Sequence, residues 1–346
     1  MEQNKNLSLY RNKIKTYFSK PENAILVVLG ILLSIFTLAP LVTILFDTFK
    51  IHVGTVETVI SGKTGGYSLS NYKDLLFGNL SKRNLREPFM NTMYLSILST
   101  IIALVYGGIV AYLITRTNMK FKKFIGAVFI FTYIMPQWTM AMVWRNLFNS
   151  NLVTGGSDGV LASLFGIRAP LWVTTGLFPS AIVLGLHYAP FAYILIGGVF
   201  KNMDANLEEA ATILNTPKHK IFFRVTLPMV LPAILSTILL VFSSSMGSYP
   251  VPHYLKLSTL STRYVEIAAQ RPGSASILSV IMILIGITIL TVNQRATSSR
   301  KSYTTVTGKS GQVTKVKLGK ISMYTIPSVL IVLTLFTSIY PIIAFA

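Results

Sequence analysis

Residues 201–232 read KNMDANLEEAATILNTPKHKIFFRVTLPMVLP. Around their charged part stand two runs without Asp, Glu, Lys or Arg, Leu177–Phe200 and Val225–Met246. Each run exceeds the ~20 apolar residues that carry a helix across a bilayer. A charged stretch between two such runs is a surface loop of a membrane protein. This one has the composition of folded helix rather than of a plain connection, so it and its flanks decide the fold together.

Five further stretches lack the same four residue types at spanning length: Ala24–Phe46, Phe89–Thr115, Phe124–Trp144, Ser274–Asn293 and Met323–Ala346. Only 12% of the 346 residues are charged and 52% are hydrophobic, whereas soluble domains carry about a quarter charged residues. The expected fold is all-α, a polytopic membrane protein with a six-span core and the start of a seventh transmembrane helix. The first run is too long for a signal-peptide core, and no small-x-small cleavage site follows it.

The formal charge is +20, from 31 basic and 11 acidic residues. On a soluble protein such an excess suggests nucleic acid. Here every basic residue lies outside the apolar runs, and short loops do not assemble a nucleic-acid-binding face. With the N-terminus inside, segments 1–23, 116–123, 201–224 and 294–320 hold 20 of the 31 basic residues, as the positive-inside rule requires. The absence of cysteine removes disulfides and thiol chemistry. Four scattered histidines and no intramembrane carboxylate give no metal site, proton relay or catalytic constellation.

The chain divides on paper into a cytoplasmic N-terminal segment (1–23), a six-span domain (24–293), a Ser/Thr/Gly/Lys-rich cytoplasmic linker (294–320), and a final apolar stretch (321–346) that resembles the first span of a second, truncated unit. The run Thr154-Gly155-Gly156-Ser157-Asp158-Gly159 marks a turn. No Gly-Lys-Ser/Thr follows it, so it is not a phosphate-binding loop.

Within the loop 202–227, Asn202 and Asp204 are good N-caps, and Glu208 and Glu209 favour the first turns of a helix. Leu207, Ala210, Ala211 and Leu214 have the spacing of one apolar stripe. Asn215 suits the left-handed residue that ends a helix. Thr216 and Pro217 suit the cap and first position of another, which carries Lys218, Lys220, Phe222, Phe223 and Arg224. Leu227 and Pro228 lead into the next span. A helix presented to a groove on a partner explains these features; an ordinary loop does not.

Inside the spans, His187 is the one titratable side chain at depth. It reads first as a neutral histidine bonded to a neighbouring helix. With Pro190, Tyr193 and Pro136 it also forms the candidate set for a pathway, to which Tyr133, Trp138 and Tyr188 add aromatic surface. Gly107-Gly108 and Gly197-Gly198 suit close helix packing.

The run from Glu209 to Pro232 resembles the EAA loop of binding-protein-dependent ABC transporter permeases. Glu209-Ala210-Ala211, Phe222, Val225 and Leu227-Pro228 match that pattern, and Asn215 stands where the family has glycine. Asn91-Thr92, and Gly107-Gly108 through Ala111-Tyr112 to Arg116-Thr117, resemble the family further. Phe242–Gly247, Pro250 and Leu260–Tyr264 resemble ferric-iron-type permeases, which often fuse two six-span halves.

The resemblance implies a transport subunit rather than an enzyme, in a bacterial plasma membrane. It implies no cofactor of the chain's own, since ATP would be bound by a cytoplasmic ABC ATPase dimer. Glu208, Glu209, Ala210, Ala211, Asn215, Pro217, Phe222, Leu227 and Pro228 would form the ATPase-coupling loop. An extracytoplasmic substrate-binding protein, membrane lipid and a second permease half would be the other partners. Ferric iron is the implied cargo, with thiamine, aminophosphonate or polyamine as rivals. An ATPase-independent channel or secondary transporter, and an inactive fragment, are the readings of other classes.

Overall fold

A computed structural model describes residues 20–203, 205–298 and 316–345. Asp204, most of the N-terminal segment and residues 299–315 of the expected linker lie outside the described residues. Among the described residues there are helices and two isolated bridges but no strand. The chain divides into two compact units, Met1–Leu76 with Ile267–Val280, and Phe77–Glu266 with Ile281–Ala346.

The first unit contains α1 (Pro21–Asp47). No residue of α1 is buried, and the helix is apolar throughout, as suits a helix surrounded by lipid. The segment after it carries two short helices, Val56–Ser61 and Ser70–Phe77. Glu57 is buried because it caps a helix from outside. Its carboxylate accepts the Gly273 and Ser274 N–H groups at 2.6 and 3.3 Å. These are orphan donors at the start of a helix. Arg271 and Asp74 pair at 2.5 Å beside it.

The second unit is organised by α2 (Glu87–Arg116) and α5 (Leu177–Asn202). A Cβ on Gly185 would lie 2.6 Å from Ile102. One on Gly107 would meet the Ala189 oxygen at 2.2 Å and Ala192 at 2.7 Å, and one on Gly197 would meet Ala111 at 3.7 Å. Rising numbers on α2 meet rising numbers on α5, so the two helices are parallel. Small residues let their backbones touch. Hydroxyls on the buried face of α2 bond back to their own helix; Ser96 donates to the Thr92 oxygen at 2.8 Å and Ser99 to the Leu95 oxygen at 2.7 Å. These two hydroxyls thus sit in the core with their donors satisfied.

Parallel spans require the chain to recross the membrane between them. The expected single span Phe124–Trp144 does this as a broken pair, α3 (Lys122–Ile134) and α4 (Gln137–Phe148), bent by 96°. The break has a local cause. A residue before proline is driven out of the helical region, and Met135 is extended at φ −72°, ψ 142°. The other six expected spans are helices long and apolar enough to cross a membrane.

After α5 come α6 (Ala205–Ile213), α7 (Leu227–Gly247), α8 (Pro272–Ser298) and α9 (Ser322–Ser338). Two π-turns, Lys82–Arg86 and Phe222–Thr226, lead into α2 and α7. In each the widened bond, Glu87 N–H to the Lys82 oxygen or Leu227 N–H to the Phe222 oxygen, immediately precedes Pro88 or Pro228. Proline offers no N–H and crowds the carbonyl four residues back; widening the turn lets the helix continue past it. Residues His219–Gly247 therefore form one helix. The second short helix expected in the loop is the foot of α7 rather than a separate element.

Helix α9 runs parallel to α3. The Leu318 N–H reaches Asn118 at 2.8 Å near their starts, and Thr132 and Ser338 share a buried hydroxyl bond of 2.6 Å near their ends. Leu330 enters the same core as Ile125 and Phe129.

The close α2–α5 seam predicts a position-specific effect of added methyl groups. Gly107→Ala, with backbone in the way, should cost ~1–3 kcal/mol through overpacking and lower the melting midpoint in detergent. Gly198→Ala, with nothing within 4 Å, should leave the midpoint unchanged or raise it. Equal melting of the two variants would contradict the seam.

Candidate functional site

The chain leaves α5 at Asn202, which is the last residue of that helix and not the cap of the next. Helix α6 then ends as the sequence foretold. Asn215 is left-handed at φ 52°. Its N–H bonds the Thr212 oxygen at 2.9 Å, and the Thr216 N–H bonds the Ala211 oxygen at 3.1 Å. This pair of bonds is a Schellman cap. The Pro217 carbonyl accepts the Ile221 N–H at 3.1 Å, so Pro217 holds the cap position and Lys218 begins the return helix, one residue later than expected.

Glu208 and Glu209 are adjacent, and successive helical residues point about 100° apart. Glu209 is exposed. Glu208 turns into the protein, where its carboxylate pairs with the Arg116 guanidinium at the end of α2. Its other oxygen accepts the Thr226 hydroxyl at 2.7 Å. Arg116 is 4% exposed and Glu208 14%. Glu208 thus ties the loop to α2 and to the foot of α7. The Arg116 carbonyl also accepts the Val316 N–H at 2.7 Å. Segments 116–123, the loop and residues 316–320 thus meet at one end of the second unit.

Outside this clamp the loop presents an apolar face. Ile213 is 81% exposed, Leu214 79% and Phe223 63%. Ala210 and Pro217 are exposed and Ala211 half-buried; the Leu207 side chain of the expected stripe lies outside the described residues. Phe222 and Leu227 turn the other way, with Tyr112, Phe200 and Val230, into an apolar cavity of about 470 Å³. Pro228 occupies the first turn of α7.

The pathway candidates are grouped differently. His187, Pro190 and Tyr193 lie on α5, and their neighbours are on α3. The His187 ring stands 5.4 Å from Tyr133, and Tyr193 meets Phe129 edge-on at 5.5 Å. His187 is buried and its Nδ1 has no hydrogen-bond partner. Pro136 sits at the α3–α4 break, whereas Pro190 lies inside the continuous helix α5. Beside the break the Gln137 carboxamide oxygen accepts from Tyr188 at 3.3 Å and from Ser248 at 3.1 Å. Sequence reading passed over Gln137, Ser248 and Thr226, and gave Arg116 only as part of the family resemblance. Each is a common polar residue whose partner is far along the chain, and only an arginine closing an uncharged run hinted at a role.

The model of the binding-protein-dependent transport system inner membrane component matches residues 103–303. The chain belongs to this family. Matching relatives include the putative ferric transport system permease protein FbpB 1 of Haemophilus influenzae, 27% identical over 238 residues, which are 67% of this chain and 37% of that protein. The spermidine/putrescine transport system permease protein PotB of the same species is 26% identical over 184 residues, 52% of this chain and 62% of that one. The chain thus spans little more than a third of the ferric relative. Among solved structures, a chain of a bacterial ABC transporter involved in the import of the acidic polysaccharide alginate has a TM-score of 0.62 at 14% identity, covering 85% of this chain and 100% of that one. At that identity the likeness is one of fold. As a member of this permease family the chain is a multi-pass membrane protein.

The Arg116–Glu208 pair makes an asymmetric prediction. Removing one partner of a buried pair costs about 3–5 kcal/mol, whereas replacing both by apolar residues costs little. Glu208→Ala should therefore lower the melting midpoint sharply, and Arg116→Met/Glu208→Leu should recover most of the loss. Additive losses in the double variant would argue against the clamp.

Proposed function

We propose that this chain is the membrane-spanning permease subunit of an ATP-driven, binding-protein-dependent importer, with ferric iron as its cargo. The observation that carries the reading is the loop between α5 and α7, capped, clamped from within and apolar on its outward face. A helix so held is suited to seat in a cleft of a cytoplasmic ATPase. Glu209 would offer a charge to that partner, Ala210 and Ala211 would allow close approach, and Asn215 would fix the turn. Pro217, Phe222, Leu227 and Pro228 would join the contact to α7. The end that gathers Arg116, Lys120, the loop and Lys317 is then the cytoplasmic face, which puts the N-terminus inside. A substrate-binding protein would dock at the other end, and a second permease half would complete the pathway, with His187, Pro190, Tyr193 and Pro136 near it. ATP would be bound by the ATPase, and this chain would need no cofactor of its own.

Ferric iron as cargo rests on the ferric relative and on the likeness of residues 242–264. The polyamine relative makes spermidine the competing cargo.

Glu209→Lys should insert and fold normally yet lose co-purification with the ATPase and lose uptake by more than tenfold. Normal uptake by that variant would sink the coupling role. With the wild-type complex in cells, accumulation of labelled ferric iron supports the iron assignment, and accumulation of labelled spermidine alone moves the cargo to the polyamine class.

A further inference from the structure

At the end of the second unit opposite the coupling loop lies a polar cavity of about 520 Å³, lined by Arg83, Glu87, His253, Lys256, Arg263 and Glu266 among others. That volume is in the range of small-molecule sites, and the charges around it are unequally neutralised. Glu266 is taken by Arg263 at 2.7 Å, and Glu87 faces Lys82 at 3.7 Å. Arg263 is further held by the Asn84 carboxamide oxygen at 2.6 Å. Among the described residues, no carboxylate lies in ion-pair range of Arg83 or Lys256. Two cations, with His253 beside them, therefore line the cavity without acidic partners.

The floor beneath them is rigid. The Ser258 carbonyl accepts Asn91 at 2.8 Å, and the Leu260 N–H donates to the buried Thr92 hydroxyl at 2.8 Å. Ser261 reaches the Ser248 carbonyl at 2.7 Å. Lys256 itself stands in the left-handed region at φ 56°, where glycine or asparagine would be the relaxed residue. Lys256 and Arg83 are both exposed on this one cavity and can each donate to negative charge, and the backbone that carries Lys256 is fixed over the floor.

We propose that this cavity is an oxyanion site, for carboxylate or phosphate oxygens, formed by Arg83 and Lys256 on the bonded floor of residues 255–262. Its outward location rests on the permease reading; its chemistry does not. The oxyanion has two sources, a free anion that accompanies cargo or carboxylates on a docked polypeptide.

The full chain, reconstituted in nanodiscs of zwitterionic lipid, would be titrated calorimetrically at constant ionic strength with citrate, inorganic phosphate and a hexaglutamate peptide. Saturable binding of citrate or phosphate assigns a free anion, and binding of hexaglutamate alone assigns polypeptide carboxylates. In either case Arg83→Gln/Lys256→Gln should weaken binding at least tenfold, and Lys201→Gln at the other end should leave it unchanged. Lys256→Gly guards against misfolding, since glycine relaxes the backbone; it should melt no lower than wild type and still lose binding several-fold. No saturable binding of any probe, or binding indifferent to these variants, overturns the site. Neither ATPase nor cargo enters the measurement, so a failed coupling assay leaves its outcome readable.

Discussion

A guanidinium buried at the end of an apolar helix must find negative charge, because its desolvation is not otherwise offset. Arg116 finds Glu208, and much of the second unit depends on that pairing. Arg116 is placed by α2, and α2 by its glycine-mediated contact with α5, so the loop that carries Glu208 is referenced to the most closely packed seam of the unit. Thr226 adds the foot of α7 to the same carboxylate, and the Arg116 carbonyl adds the segment that leads into α9. Four stretches of chain thus converge on this ion pair and the Arg116 backbone.

The parallel course of α2 and α5 has a second consequence. Everything between residues 117 and 176 must return the chain across the membrane, yet its apolar part is broken at Met135–Pro136. A break inside a membrane exposes backbone polar groups that a continuous helix would satisfy. Polar side chains collect there: Gln137 accepts from Tyr188 on α5 and from Ser248 just beyond α7. The bent pair is in this way fastened to two continuous helices instead of relying on its own hydrogen bonding.

Much of this was legible in the residues. Hydropathy and the absence of charge located the spans, because lipid imposes one length and one composition on any crossing helix. Asn215 was legible as a left-handed stop, since few non-glycine residues tolerate that conformation. The direction of Glu208 was not. Adjacent acids in a first helical turn look alike in sequence, and the partner that separates them stands 92 residues away. The break in the expected third span was half legible: Pro136 was noted, but proline is also tolerated within a continuous helix, as Pro190 is in α5. The environment of Pro88 and Pro228 was hidden for the opposite reason. Each would ordinarily mark a helix start, and the π-turn before it lets the helix run on.

That continuity bears on how motion at the loop would reach the membrane. Helix α6 is capped at its end and held by Glu208, so it moves as a body rather than by fraying. Its return arm is the same helix as α7, with a π-turn between Lys220 and the span. In the proposed coupling role, a force applied to the exposed face at Ile213, Leu214 and Phe223 would be delivered to α7 along a helical axis. The one soft place on that axis is the π-turn at Phe222–Thr226, where hydrogen bonding is already displaced from the α pattern. Thr226, the last residue of that turn, is the one that Glu208 holds. The clamp thus braces the axis where it would otherwise yield, and a loop lacking Glu208 would still present its apolar face but would transmit movement poorly.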